Sequence, residues 1–271
     1  MLGAIIGDIV GSRFEYNNAK EKSFELFDSE CSITDDTVLT VAVAKAILEC
    51  KDDFSCLSEM TVKYLREIGE TYPIWMFGGM FREWLESDDP QPYNSYGNGA
   101  AMRVSPCGFA AKSLSQAIEL SKAVTEVTHN HPEGIKGAEA TTVAIYLAIS
   151  GNTKQDIQKY ISEHYYKLNF DLDDIRNTYS FSDTCQGSVP YAIKAFLEST
   201  SFEDAIRNAI SLGGDSDTIA AITGSIAEAY YGIPNELCAE ALQYLPDPLY
   251  QIVKEFILTC DSMKNYRSLV V

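Results

Sequence analysis

The chain has 271 residues, of which 46% are hydrophobic and 22% are charged, a composition typical of a soluble globular protein. It carries 39 acidic and 21 basic residues, so its formal net charge is -18. So acidic a surface repels nucleic-acid phosphates, and no stripe of Lys and Arg compensates, so we expect no direct nucleic-acid binding.

The seven cysteines are odd in number, widely spaced and without a CxxC pair. This pattern argues against a disulfide framework or a structural zinc site and favours a reducing cytoplasm. The N-terminus lacks the basic start of a signal peptide, and no run of 18 apolar residues occurs, so we expect no membrane association. Strong like charge also favours a monomer.

Most of the chain has the hydrophobic period of an α-helix, and strict two-residue alternation is nearly absent. We therefore predict an all-α fold. In chain order the predicted helices are residues 37–50, 58–70, 77–86, 115–127, 133–149, 154–165, 188–198, 202–211, 218–231 and 248–263. Residues 88–93 and 171–183 are predicted to be loops, and since neither is a linker, we expect residues 1–271 to form a single domain.

Gly3, Gly7 and Gly11 are spaced by four near the start of the chain. This is not the GxGxxG pattern of a dinucleotide fold, and no strand precedes it. Residues four apart share one helix face, where glycine lets a second helix approach closely. We interpret the spacing as helix packing, with a phosphate loop as the alternative.

Two acidic clusters each precede an almost wholly apolar segment. The first comprises Thr34, Asp35, Asp36 and Thr37; the second comprises Asp215, Ser216, Asp217 and Thr218 and follows Gly213 and Gly214. The simplest interpretation is helix capping, since Ser, Thr and Asp are favoured at helix N-termini.

A metal site is the alternative interpretation of these clusters. The apolar segments that follow are expected to be buried, and burying paired carboxylates without a counterion is costly. Neither segment contains a Lys or Arg near the carboxylates, so a bound divalent cation would supply the missing charge. Oxygen ligands without Cys or His suit Mg²⁺ or Mn²⁺ and argue against zinc. Two clusters could hold two ions.

The segment from Tyr93 to Arg103 is rich in Gly and Asn, which permit left-handed backbone conformations and indicate a tight turn. The turn is either a plain connection before a helix or a cradle whose backbone N–H groups hold a phosphate or a ribose.

Two of the three histidines, His129 and His131, lie in one loop before Pro132. They could bind metal, contact a phosphate, act as an acid or base, or cap the following helix, with Pro132 at its first position. His164 is expected on the surface. Glu15 follows the glycine-spaced helix and, as a lone acid, is most simply a surface charge.

Taken together and in order, these segments resemble the ADP-ribosylglycohydrolase family, also called the dinitrogenase reductase-activating glycohydrolase family. The resemblance covers essentially the whole chain. It depends on five segments, namely residues 3–11, 34–37, 97–103, 129–132 and 213–221.

The resemblance implies an all-α orthogonal helical bundle with a binuclear Mg²⁺ or Mn²⁺ centre and hydrolysis of the glycosidic bond between ADP-ribose and a modified acceptor. The implied metal ligands are Thr34, Asp35, Asp36, Asp215, Asp217 and Thr218. The implied lining of the ADP-ribose cleft is Ser95, Tyr96, Gly97, Asn98, Gly99 and His129.

Glu15 matches a flexible-loop glutamate of some branches of the family, and with Asp35 and Asp36 it is our candidate for the catalytic acid or base. Trp75, Phe77 and Tyr93 would line the acceptor side or stack on adenine, unless they belong to the core. Two alternatives stay open at this point: a metal-dependent phosphoester hydrolase that uses the same carboxylates, and a non-catalytic ADP-ribose-binding protein.

Overall fold

The computed structural model describes residues 1–51 and 53–271. Over these residues the all-α prediction is confirmed, since the only β-type pairing is an isolated bridge between Gly97 and Thr184. The helices are α1 (Leu2–Gly11), α2 (Asp35–Cys50), α3 (Leu57–Gly69), α4 (Gly79–Glu86), α5 (Gly99–Met102), α6 (Ser105–Ala110), α7 (Leu114–Thr125), α8 (Pro132–Ile149), α9 (Lys154–His164), α10 (Leu172–Ile175), α11 (Cys185–Leu197), α12 (Phe202–Ile210), α13 (Ser216–Tyr231), α14 (Asn235–Leu242) and α15 (Asp247–Thr259). In the described part of the chain, no helix is both long enough and apolar enough to cross a bilayer.

The predicted helices all exist, but several begin or end elsewhere. Helix α2 begins at Asp35, two residues before the predicted start, because the Thr34 hydroxyl accepts a hydrogen bond from the backbone N–H of Asp36. Helix α11 begins at Cys185 and not at residue 188, because Thr184 caps it in the same way. Helix α13 begins at Ser216, with Asp215 at its N-cap, where the prediction began at residue 218, so both acidic clusters lie in the cap or the first turn of a helix.

Several elements were missed or misplaced by the sequence prediction. The structure adds α5, α6 and α14, and α10 interrupts the predicted loop at 171–183. Helix α4 starts at Gly79 because the backbone of Gly78 is extended. Helix α15 ends at Thr259 and is followed by a 3-10 helix, Asp261–Leu269, where one continuous helix to residue 263 was predicted.

The glycine row of α1 packs directly on the backbone of α13. A Cβ atom at Gly3 or Gly7 would lie 2.1 Å from the carbonyl oxygen of Gly224 or Ala220, respectively, and one at Gly11 would lie 2.5 Å from the Cα of Asp217. The packing interpretation is thus confirmed. The residue numbers of the contacts in α13 fall as those of the glycines in α1 rise, so the two helices run antiparallel.

This antiparallel contact decides where the functional residues meet. Helix α13 is the central helix, buried from Ser216 to Glu228 and packed against α1, α8, α11 and α12. Its N-terminus lies beside the C-terminal end of α1, and the N-terminus of α2 joins them through Asp8. The positive ends of two helices therefore face one group of carboxylates.

Candidate metal centre and ligand cleft

A cleft of about 620 Å³ opens above the converging ends of α1, α2 and α13. Its volume lies within the range of small-molecule binding sites. The first turns of α2 and α13 form one side, the segment before α4 and the loop at Glu15 flank it, and the Gly97–Gly99 turn and His129 complete the lining.

Asp8 is the residue around which the centre is built, and the sequence analysis had not selected it. It is completely buried within α1. One carboxylate oxygen accepts a hydrogen bond from the Thr34 hydroxyl at 2.6 Å, and the other accepts from the backbone N–H groups of Thr34 and Thr37, both at 3.0 Å. Asp8 thereby caps α2 from a different helix. The sequence feature that could have identified Asp8 is that it is the single charged residue in an otherwise apolar helix.

In the first cluster, Thr34 performs the capping that the simpler interpretation predicted, and Asp36 does not. Asp36 is buried, and one of its carboxylate oxygens has no hydrogen-bond partner. The other accepts from the hydroxyl of Thr218 at 3.2 Å, which joins the two clusters. Capping therefore accounts for the threonine but leaves a buried carboxylate oxygen free for another ligand.

In the second cluster, consecutive glycines turn the chain into α13. Gly213 and Gly214 have φ values of 68° and 73°, which side chains with a Cβ disfavour. The Asp215 side chain makes no capping bond. Instead it accepts a hydrogen bond from the Asn98 amide at 2.6 Å, so the middle turn of the sequence contacts the second cluster.

Asp217 belongs to two groups of carboxylates at once. Oxygens of Asp8, Asp36 and Asp217 lie within 4.8 Å of one another, and so do oxygens of Glu15, Asp215 and Asp217. Three oxygens at such spacing can surround one hard cation. Two cation positions that share Asp217 therefore fit these residues.

The electrostatics of the centre favour cations. Burial raises the pKa of Asp36 and Asp217 well above its ordinary value, and the surrounding carboxylates raise it further. Burial, followed by the charges of Asp8 and Asp215, raises the pKa of Asp35 to about 8. Over residues 1–51 and 53–271, no Lys, Arg or His forms an ion pair with any of these groups.

Glu15 lies in the loop after α1, at the edge of the cleft, and burial raises the pKa of its carboxyl group. Asn18 fastens this loop to the second cluster. Its side-chain amide donates to the carbonyl oxygens of Phe14, Glu15 and Gly214, and its oxygen accepts from the Gly214 N–H at 2.8 Å. The loop glutamate is therefore held beside Asp215 and Asp217.

The Gly97–Gly99 turn lies in the cleft, and the predicted left-handed backbone occurs just before it. Among the residues from 93 to 103, the left-handed conformation belongs to Asn94 and not to the glycines. The N–H groups of Gly97 and Asn98 donate to Ser95 Oγ at 3.0 Å and to the Asp183 carbonyl at 2.7 Å. Those two N–H groups are occupied within the protein and are not free to form the cradle for a phosphate or a ribose that was one of the two interpretations.

The two histidines of the loop before α8 have different surroundings. The ring of His131 accepts a hydrogen bond from the Glu133 N–H, so the capping interpretation is confirmed for His131, and Pro132 is the first helical residue. His129 is buried in the wall of the cleft. His164 is exposed, as predicted.

All three aromatic residues whose placement the sequence left open, Trp75, Phe77 and Tyr93, border the cleft. Trp75 is 74% exposed, whereas Phe77 is buried and also packs against Phe81. The ring of Tyr93 lies 5.6 Å from that of His129. Tyr96, in contrast to its neighbours in the turn, is not part of the cleft lining, because its ring packs against His131.

Comparison with known proteins connects this geometry to a family. The sequence model described as ADP-ribosylglycohydrolase matches residues 1–265. The chain is 24% identical to ADP-ribosylhydrolase ARH3 of Mus musculus, with 86% of this chain and 83% of that protein covered. It is 27% identical to ADP-ribosylarginine hydrolase Tri1 of Pseudomonas putida (strain GB-1), with 86% and 70% covered.

The fold is also found among solved structures. A chain described as an ADP-ribosylglycohydrolase-related protein complex superposes with a TM-score of 0.68 and covers 100% of this chain and 97% of its own length. Sequence identity in that pair is 21%, so the likeness concerns the fold.

Proposed function

The chain belongs to the ADP-ribosylglycohydrolase family, and from this premise we propose that it is a metal-dependent hydrolase that cleaves the glycosidic bond between ADP-ribose and a modified acceptor. The observation that carries the proposal is the position of Asp217, which is buried, has no basic partner among the described residues and is shared by two groups of carboxylates beneath the cleft. We also propose that residues 1–271 act as one domain and, from the net charge and the free cysteines, as a monomer in a reducing compartment.

The donor set fits two Mg²⁺ or Mn²⁺ ions. We propose that Asp36, Asp215 and Asp217 hold them together with Asp8, and that Thr34, Asp35 and Thr218 complete the set. Bound divalent cations supply positive charge for substrate oxygens and lower the pKa of coordinated water. The free oxygen of Asp36 and the absence of a basic partner among the described residues support this assignment.

The protein's own groups would supply the remaining chemistry. Cleavage of a ribosyl bond passes through a transition state with positive charge at the anomeric carbon, which nearby carboxylates stabilise. Glu15 is the candidate that holds or moves a proton, because burial raises its pKa and Asn18 fixes its loop. Asp35, with a pKa raised to about 8, is the second candidate for the same role.

We propose that the acceptor lies toward the side of the cleft that Trp75 and Phe181 border, since these side chains are 74% and 54% exposed. An N-glycosidic and an O-glycosidic bond are both compatible with this arrangement. The choice among arginine, serine, a nucleobase and a small molecule is to be made by turnover assays with each conjugate.

Calorimetric titration of ADP-ribose into metal-stripped protein, with and without Mg²⁺ or Mn²⁺, tests the ligand and the cofactor together. We expect binding that depends on the metal, followed by release of free ADP-ribose from at least one conjugate. Release of inorganic phosphate would favour the phosphoester hydrolase. Metal-dependent binding without turnover of any conjugate would favour a non-catalytic binder.

The variant Asp217→Asn tests the centre itself. It removes the shared charge, so metal-dependent binding and turnover should both be lost, while the metal-free protein should become more stable because a repulsive buried charge is gone. Asp261→Asn is the matched control, since Asp261 is exposed at the surface and forms an ion pair with Arg267 far from the carboxylates of the centre in sequence. Full activity in Asp217→Asn would contradict the two-metal proposal.

A further inference from the structure

The guanidinium group of Arg103 is completely buried at the wall of the cleft. Among the described residues it forms no ion pair, and its Nε and Nη1 atoms lack hydrogen-bond partners. Only Nη2 is engaged: it donates to the Val124 carbonyl at 3.2 Å and to the hydroxyl of Thr128 at 2.5 Å. Burying a charge with so little compensation is costly, which makes Arg103 a candidate for a role at the cleft.

The contact with Arg103 restricts the direction of the Thr128 hydroxyl. Arginine only donates hydrogen bonds, so the threonine oxygen accepts from it, and the single hydroxyl proton must point elsewhere. If Nδ1 of His129, at 2.7 Å, donated to the second lone pair of this oxygen, the hydroxyl proton would be left with the Thr125 carbonyl at 3.4 Å, which is long for an O–H···O bond. The arrangement that gives the buried proton a short hydrogen bond makes Nδ1 of His129 the acceptor.

A histidine ring that accepts at Nδ1 and is neutral carries its proton on Nε2. In His129 that atom faces the Gly97–Gly99 turn, 3.4 Å from where a Cβ at Gly99 would lie and 3.6 Å from one at Gly97. Burial, with the nearby positive charge of Arg103, lowers the pKa of His129 well below its ordinary value, so the ring is neutral. The absence of a Cβ at both glycines leaves room beside Nε2.

We infer that Arg103 and Thr128 are positioning residues that hold His129 as the Nε2–H tautomer, so that His129 is a fixed hydrogen-bond donor to an oxygen atom of the ligand in the cleft. The identity of that ligand as ADP-ribose depends on the proposed function; the tautomer does not. A donor without an alternative tautomer discriminates in favour of unprotonated oxygens, such as those of a diphosphate.

Thr128→Val is the decisive variant, because valine keeps the shape of threonine and removes the hydroxyl relay. Nitrogen-15 spectra of histidine-labelled protein, with the His129 signals assigned from a His129→Gln variant, report the tautomer directly. We expect pure Nε2–H in the parent and in Thr128→Ser, and a mixture with Nδ1–H in Thr128→Val. Affinity for ADP-ribose in the presence of Mn²⁺ should fall about 5- to 10-fold in Thr128→Val, the contribution of one hydrogen bond.

Thr125→Val is the matched control. Thr125 is also buried and is the last residue of α7, three positions before Thr128, and its hydroxyl has no hydrogen-bond partner among the described residues, so the tautomer and the affinity should be those of the parent. An unchanged tautomer in Thr128→Val would overturn the inference. If the parent itself fails to bind ADP-ribose, the proposed function fails, while the spectra still decide the role of Thr128.

Discussion

Replacing Gly7 by Ala should damage both the fold and the metal centre. The added Cβ would lie 2.1 Å from the Ala220 carbonyl oxygen, 2.3 Å from its carbon and 2.6 Å from the Ala221 nitrogen. All three atoms are backbone, so no side-chain rotation can relieve the overlap, and α1 and α13 must separate by roughly 1 Å to restore ordinary contact. Overpacking of this kind costs about 1–3 kcal/mol, which the better helix propensity of alanine offsets by up to about 1 kcal/mol.

We therefore expect Gly7→Ala to lower the free energy of unfolding by about 2 kcal/mol in urea titrations of the metal-free protein. Because α1 carries Asp8 and α13 carries Asp217, the same displacement should weaken Mn²⁺ binding in calorimetry. Gly79→Ala is the control for stability, since a Cβ at Gly79 meets nothing within 4 Å. Parent-like stability and metal affinity in Gly7→Ala would refute the argument that this close contact positions the centre.

Three further outcomes follow from the same geometry. Metal-free protein should lose stability as the pH rises from 5 to 8, by up to about 1.4 kcal/mol per pH unit for each such group, because Asp35 keeps its proton in the folded state up to a pKa of about 8 but loses it near 3.8 when unfolded. Melting temperatures in EDTA measure this loss of stability, and saturating Mn²⁺ should remove it. A melting temperature that rises with pH would contradict the prediction. Asp8→Asn should weaken Mn²⁺ binding about 10- to 100-fold in calorimetry while α2 keeps its cap, and unchanged affinity would exclude Asp8 from the centre. Asn18→Ala should lower kcat about 10- to 100-fold by releasing the Glu15 loop, whereas its exposed neighbour Asn17→Ala should not, and equal rates would mean that Asn18 does not position Glu15.

The sequence was sufficient to predict the fold class and to predict that the first helix packs closely against another helix. Hydrophobic periodicity located the long helices, because a helix that buries one face must repeat its apolar residues at that period. Boundaries were missed where a cap decides them, as at Thr34 and Thr184, and α14 was missed because its eight residues carry a weak pattern. The spacing of Gly3, Gly7 and Gly11 predicted a close helix contact but not that α13 provides it.

For the site, the sequence indicated two acidic clusters but could not place them in one centre. Local pattern shows which residues begin a helix, whereas the distance between two helix starts depends on the packing of everything between them. Asp8 belongs to neither acidic cluster, and the antiparallel contact of α1 with α13 brings it beside Asp36 and Asp217. The sequence by itself therefore determined the chemistry of the ligands, and the tertiary structure decided which carboxylates share one low-dielectric space, because close approach of like charges is a property of packing and not of spacing along the chain.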